Sequence, residues 1–171
     1  MRTVAPWRAS RAAHIYHAHF RVRFHEVDPL GHVNNATYLT YLEQAAIDHA
    51  AAAGYDVERL RELGGVFIAR RHEIEYLRPA RDGDWLRVVT WPVDLAGARA
   101  VRAYAVFRLT ADELAAGTPV DGLHAPGETG AARGDLIVRA RTEWAFIDAR
   151  TGRPRRIPNE IVAAFLVAPQ T

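Results

Sequence analysis

The stretch Asp28-Pro29-Leu30-Gly31-His32-Val33-Asn34-Asn35 runs directly into Ala36-Thr37-Tyr38-Leu39-Thr40-Tyr41-Leu42-Glu43, and its reading decides the fold. Pro29 and Gly31 break regular structure, so 28–34 is a loop. Behind it, residues 35–53 (NATYLTYLEQAAIDHAAAA) read as a helix of roughly five turns. Asn34 or Asn35 can cap its start, and Gly54 suits the position just past its end. Tyr38, Leu42, Ala45 and His49 mark one face, and Leu39, Ala46 and Ala50 mark another. A helix apolar over so much of its circumference is expected to be buried rather than laid on a surface.

Working outward, the run HAHFRVRFHEVD from His17 alternates Phe20, Val22 and Phe24 with Arg21, Arg23 and His25, the pattern of a half-buried strand. Residues 1–16 read as a loosely ordered arm. Beyond the helix, 55–64 is a linker and 66–80 a long strand-like run. Arg81-Asp82-Gly83-Asp84 makes a turn, and 85–97 with 98–110 form an antiparallel pair. In the second of these, Val101, Ala103, Ala105, Phe107 and Leu109 alternate with Arg102, Tyr104 and Arg108. Residues 111–134 hold five glycines and two prolines, an excursion between strands with a short helical piece at its start. The strand 135–148, a turn at Thr151-Gly152-Arg153-Pro154 and a short helix after Pro158 complete the chain.

The expected architecture is α+β: an antiparallel sheet of about five long strands wrapped around one long central helix. Its 171 residues fit a single domain over 17–168, with the N-terminal arm at 1–16 and the Gly/Pro-rich insertion at 111–134.

Composition narrows the chemistry. The chain has no Cys and no Lys, and its only Ser is Ser10, in the arm. Cysteine nucleophiles, thiolate metal sites, lysine Schiff bases and the P-loop lysine are thereby excluded, as is a serine at a sharp strand-to-helix turn. Hydrolysis by this chain would rest on carboxylates, histidines, backbone dipoles or activated water. All 22 basic side chains are Arg against 20 acidic ones, and a net charge of +2 gives no case for nucleic acid. His14, His17 and His19 sit on the arm and first strand without nearby ligands, so no metal site and no cofactor is expected. No apolar run reaches the ~18 residues of a membrane span, and the N-terminus lacks the apolar core of a secretory signal. A cytoplasmic location is the resulting expectation.

The segment FHEVDPLGHVNNATYLTYLE (24–43) resembles the signature of the 4-hydroxybenzoyl-CoA thioesterase group of hotdog-fold proteins. In that pattern an acidic residue, a Gly, an optional His, Val and Asn-Asn precede spaced tyrosines and a Glu. EIEYLRPARDGDWL (73–86) resembles the family's strand-turn-strand, and Asp148 to Pro158 its final turn. The likeness covers about 17–110 and 134–165; the insertion 111–134 is longer than the family's usual connection.

The resemblance implies a dimer, or a tetramer made of dimers, with active sites at subunit interfaces. It further implies hydrolysis of an acyl-CoA or acyl carrier protein thioester. Asp28 stands at the place of the family's catalytic carboxylate, as nucleophile or as general base for water. The backbone amide of Asn35 stands at the place of the carbonyl-polarising donor, at a helix start where unpaired N–H groups and the positive end of the macrodipole lie. Gly31 lets the loop turn tightly, and its own amide is a second candidate donor.

His32 either orients Asp28 or the substrate, or braces the loop by a backbone hydrogen bond. Plant acyl carrier protein thioesterases resemble this loop, but Leu30 replaces their internal Asn. Glu43 is a second carboxylate at the helix position that carries the acid in a sister group. It lies eight residues, ~12 Å, along the helix from Asn35, within reach only of a neighbouring subunit's loop. Asn34 reads as a cap, and Tyr38 and Tyr41 as linings of an acyl pocket. Arg99 and Arg102 lie where the family often has basic residues for CoA phosphate, against the plainer reading of exposed strand arginines.

Two other readings compete. A hotdog dehydratase or hydratase would need a different loop, which is absent. A non-catalytic acyl-CoA sensor or scaffold would gain nothing from an anion beside the thioester.

Overall fold

Four strands of ten residues or more carry the frame: β2 (Gly65–Tyr76), β3 (Trp85–Ala96), β4 (Arg99–Arg108) and β6 (Asp135–Asp148). They are joined by β1 (Ile15–Arg21) and the short β5 (Gly122–His124). The helices are α1 (Asn35–Ala52), α2 (Val57–Glu62), α3 (Ala111–Ala115) and α4 (Asn159–Phe165). The computed structural model describes residues 14–117, 121–124 and 134–166. All pairings are antiparallel, in one sheet ordered β2-β6-β4-β3-β1-β5. The sixth strand, beyond the expected five, comes from the insertion, where Gly122 to His124 pairs with β1.

Register sets which side chains meet α1. One row across the sheet runs Tyr16, Thr90, Tyr104, Ala140, Ile74, and the next runs Ala18, Val88, Val106, Val138, Tyr76. Most of these side chains share one buried cluster with Tyr38, Tyr41, Leu42, Ala45 and Ala46 of α1. A second cluster closes the far end, where Leu60, Phe146, Ile157, Ile161 and Phe165 come together.

Four sequence expectations are corrected. The helix is buried on one side only: Ala36, Thr40, Glu43, Gln44 and Ile47 form an exposed stripe, because polar residues recur there at helical spacing. The first strand begins at Ile15, inside the expected arm, and stops at Arg21; a 3-10 turn over Phe24–Glu26 breaks the alternation and leaves Phe24 80% exposed. The linker holds α2, capped by the Asp56 carboxylate, which accepts from Arg59 N–H at 2.8 Å.

On β4 it is the row of Arg102 and Tyr104 that turns toward α1. Arg102 is therefore half-buried on the inner face of the sheet, because register and not polarity decides the face of a strand. The expected arm (1–16) falls mostly outside the described residues, as do 118–120 and 125–133 of the insertion. The short helical piece expected at the start of that insertion is α3, with Thr110 and Glu113 forming a reciprocal cap.

Candidate active site

The loop between β1 and α1 is built by its own backbone. Val27 bridges Val33, Asp28 N–H donates to His32 O at 2.7 Å, and Gly31 N–H donates to Asp28 O at 2.9 Å. Gly31 has φ +73°, a left-handed conformation that costs any residue with a Cβ, so the turn needs glycine there. Val33 N–H reaches Ala80 O at 2.8 Å, which ties the loop to the segment after β2.

Asp28 sits at the tip, half-buried. Its Oδ1 accepts from Leu30 N–H at 2.8 Å and His32 N–H at 3.1 Å. Among the described residues no donor reaches Oδ2. One carboxylate oxygen is thus fixed by the loop and the other is left available to an incoming group. Seven residues on, α1 begins. The Asn34 side chain caps it by accepting from Ala36 N–H at 2.9 Å, and Asn34 O accepts from Thr37 N–H at 2.9 Å. Asn35 N–H has no protein acceptor among the described residues, which leaves an unpaired amide at the positive end of the helix.

The other sequence-derived residues divide. His32 contributes its backbone: its N–H and C=O both bind Asp28, and no hydrogen bond joins its imidazole to that carboxylate. Gly31 shapes the turn, but its amide is already given to Asp28 O. Glu43 is exposed on the outer stripe of α1 and is not brought to the loop within this chain. Tyr38 and Tyr41 are buried in the core, in edge contact with ring centroids 6.3 Å apart. Burial, first of all, pushes the Tyr38 phenol up to about 12, so it stays protonated at neutral pH. Burial and the adjacent Glu26 carboxylate also raise Tyr41.

Arg99 is exposed and already paired, with Asp94 at 3.3 Å and Glu143 at 3.1 Å. Arg102 lies half-buried on the helix-facing side of β4, on His49 Nδ1 at 2.7 Å and Thr90 Oγ1 at 3.2 Å. No cluster of metal-ligating side chains occurs among the described residues.

One residue of the site escaped the sequence reading. Glu26 Oε2 accepts from Arg23 N–H at 2.7 Å and from Tyr41 O–H at 2.7 Å, while Glu26 O accepts from Asn34 N–H at 2.8 Å. Glu26 therefore fastens the loop to the helix on both its flanks. The signal available was an acidic residue two before Asp28 facing a tyrosine on the helix, which a strand reading of 17–28 conceals. Tyr76 of β2 adds a further brace, its O–H donating to Asn35 O at 3.0 Å.

An antiparallel sheet around one long helix, with a capped helix start behind an acidic loop, defines a hotdog-fold protein of the thioesterase type. The family model of the Thioesterase-like superfamily matches residues 22–165, and the chain belongs to that superfamily.

Solved structures agree in fold. The 1,4-dihydroxy-2-naphthoyl-CoA thioesterase of Synechocystis superposes with a TM-score of 0.67 at 16% identity, over 88% of this chain and 94% of its own. A Thermus thermophilus thioesterase complexed with coenzyme A and Zn gives 0.64 at 26% identity, over 87% of this chain and 90% of its own. A Staphylococcus aureus protein in complex with CoA gives 0.69 at 13% identity, over 92% of this chain and 85% of its own. No helix among the described residues is long and apolar enough to cross a membrane.

Proposed function

We propose that this protein hydrolyses an acyl thioester of coenzyme A or of acyl carrier protein to the free acid and thiol, with Asp28 as the reacting carboxylate. The observation that carries the reading is the asymmetry of Asp28: Oδ1 is held by two loop amides and, among the described residues, no donor reaches Oδ2. A carboxylate held this way can be aimed without being neutralised. Oδ2 either takes a proton from the water that attacks the carbonyl carbon, or attacks that carbon itself to give a mixed anhydride that water opens. In both routes charge grows on the carbonyl oxygen, and the Asn35 N–H at the start of α1 is the donor for it. The thiolate leaves and is protonated. Belonging to the thioesterase-like superfamily supports this class of substrate, and the lack of Cys, Lys and any Ser but Ser10 removes the usual covalent alternatives.

The acting unit is a homodimer in this reading, paired along β2. Two features of the chain support it. β2 lies at the edge of the sheet with only β6 beside it, and large apolar side chains stand exposed at Phe24, Leu30, Ile47 and Ile68. In such a pair the exposed Glu43 of one subunit is the group free to approach its neighbour's loop.

The test is thiol release from a panel of acyl-CoA esters by wild type, Asp28→Asn and Glu43→Gln. Asp28→Asn keeps an acceptor for the two amides, so the loop stays while the carboxylate is lost; the expected fall is at least ~10²-fold. Equal rates for Asp28→Asn and wild type transfer the role to Glu43. Binding of the esters without hydrolysis by wild type replaces the reading with that of an acyl-CoA sensor.

A further inference from the structure

A cavity of about 290 Å³ lies at the other end of the molecule, between the second half of α1, α2, the first residues of β2 and α4. Its walls include Ala50, Leu60, Phe67, Leu95, Trp144 and Phe165, and Arg102 is set into them. The size is at the lower end of the ~300–1,000 Å³ seen for small-molecule sites, and the lining has their usual character, apolar with few polar groups. His49, beside Arg102, is 14 residues beyond Asn35 on α1, or ~21 Å along the helix axis. Within the chain the cavity is thus separate from the Asp28 loop.

Arg102 is the unusual element. Its Nη1 meets only neutral partners, His49 Nδ1 at 2.7 Å and Thr90 Oγ1 at 3.2 Å, and its guanidinium carbon lies 5.8 Å from the centre of the Phe165 ring. Among the described residues no carboxylate pairs with it, whereas Arg87, Arg99 and Arg108 each have an acidic partner. Its Nε and Nη2 have no protein acceptor there. A half-buried cation so placed has given up part of its hydration without gaining an anion. Burial draws Arg102 below its ordinary value, and the Tyr104 phenol acts on it in the opposite sense more weakly.

We propose that this cavity binds a carboxylate borne on an apolar body, with Arg102 as its counter-ion. The planar guanidinium has two free donor positions, the arrangement that takes a carboxylate in bidentate fashion. With Arg61 and Asp56 also on the lining, the cavity's net charge is one positive, which matches a monoanion, and the aromatic and aliphatic walls suit a hydrocarbon rather than a phosphate with its hydration. His49 holds the guanidinium from behind: it is fully buried and neutral, and its Nδ1 can only accept from an arginine. Two sources share this chemistry: a free carboxylic acid, and the distal carboxylate of an acyl group that carries one.

The experiment is calorimetric titration of the full chain with straight-chain carboxylates of six to ten carbons and the primary alcohols of the same lengths. The acid is expected to bind at least ~10-fold more tightly than its matched alcohol. Arg102→Gln is expected to abolish that preference, and Ala50→Leu, which fills the cavity and keeps Arg102, to weaken both ligands. Equal affinity of acid and alcohol for wild type overturns the proposal, and needs no variant to fold. So does an acid preference that survives in folded Arg102→Gln.

Hydrolysis then separates the sources. An acyl-CoA ending in a carboxylate, turned over at least ~10-fold better than its methyl-ended counterpart in an Arg102-dependent way, assigns the site to a substrate tail. A free acid that alters turnover of the methyl-ended ester assigns it to an effector. Binding is read without turnover, so its failure is distinct from failure of the hydrolase reading.

Discussion

The phenol of Tyr41, on the second turn of α1, donates to Glu26 Oε2 at 2.7 Å, and the same oxygen accepts Arg23 N–H. The two residues are fifteen apart in sequence and on opposite sides of the Asp28 loop. Their bond closes the loop like a clasp, with Asn34 N–H on Glu26 O as the second fastening. Its energetic weight comes from the ionised acceptor and from the burial of Tyr41.

Tyr41→Phe removes the clasp while keeping the ring that stacks on Phe20, 4.8 Å away between centroids. A hydrogen bond to a charged group is worth ~1.5–3 kcal/mol, and Glu26 retains its Arg23 amide, so a loss of about 1–2 kcal/mol is expected. For a chain of this size that is a fall in Tm of roughly 2–8 °C. Turnover should fall further than folding alone requires, because Asp28 is aimed by the loop the clasp holds. Thermal unfolding and turnover below the transition would be measured together. An unchanged Tm would mean that water replaces the phenol at no cost.

Much of this was legible in the sequence because it depends on local rules. The helix at 35–52, its Asn34 cap and the strand 135–148 follow from periodicity and capping chemistry acting within a few residues. The Asp28 loop could be read because Pro29, Gly31 and Asn34 each carry their own conformational instruction. What could not be read depends on register. The alternation in β4 is real, but it does not say that the Arg102 row faces the helix, since an arginine looks the same on either face until Thr90 and His49 are placed beside it. Glu26 was missed for the same reason, because its role exists only through a partner on another element.

His32 is expected to act through its backbone. Its N–H reaches Asp28 Oδ1 at 3.1 Å and its imidazole has no bond to that carboxylate. His32→Ala preserves the amide and should cost less than ~10-fold in kcat/KM. Glycine-like mobility is not introduced, so the loop geometry survives. A loss as large as that of Asp28→Asn, with a displaced pH–rate profile, would establish instead that the imidazole takes part in proton transfer.

His49 gives the fold an acid limit. It is buried beside Arg102, and burial first, then the neighbouring Arg102 and His14, lower it from 6.5 to about 2. The folded state therefore keeps it neutral, while the unfolded chain binds a proton below its ordinary value. Its contribution is whole above about 6.5 and is lost progressively as pH falls from there toward about 2. The slope from this one group is about 1.4 kcal/mol per pH unit in that window. His49→Gln, neutral and still able to accept from Arg102, should flatten the dependence between pH 6 and 4, as measured by denaturant midpoints. Parallel curves for the two proteins would contradict a buried neutral His49.

The free edge of β2 makes a prediction about assembly. This strand is twelve residues long, with Ile68 38% and Tyr76 43% exposed. An unpaired edge of that length invites another strand, and among the described residues β2 has a strand neighbour on one side only. If two copies pair there, a charge at the seam should separate them, because like charges would face each other across an apolar contact. Ile68→Asp is therefore expected to shift the protein from dimer to monomer in light scattering after size-exclusion chromatography. Thioester turnover per chain should fall in step with dimer content, since the acting site is proposed to need both subunits. A wild-type protein that is monomeric at assay concentration and fully active would remove the dimer from the mechanism, and with it any part for Glu43 at a neighbour's loop.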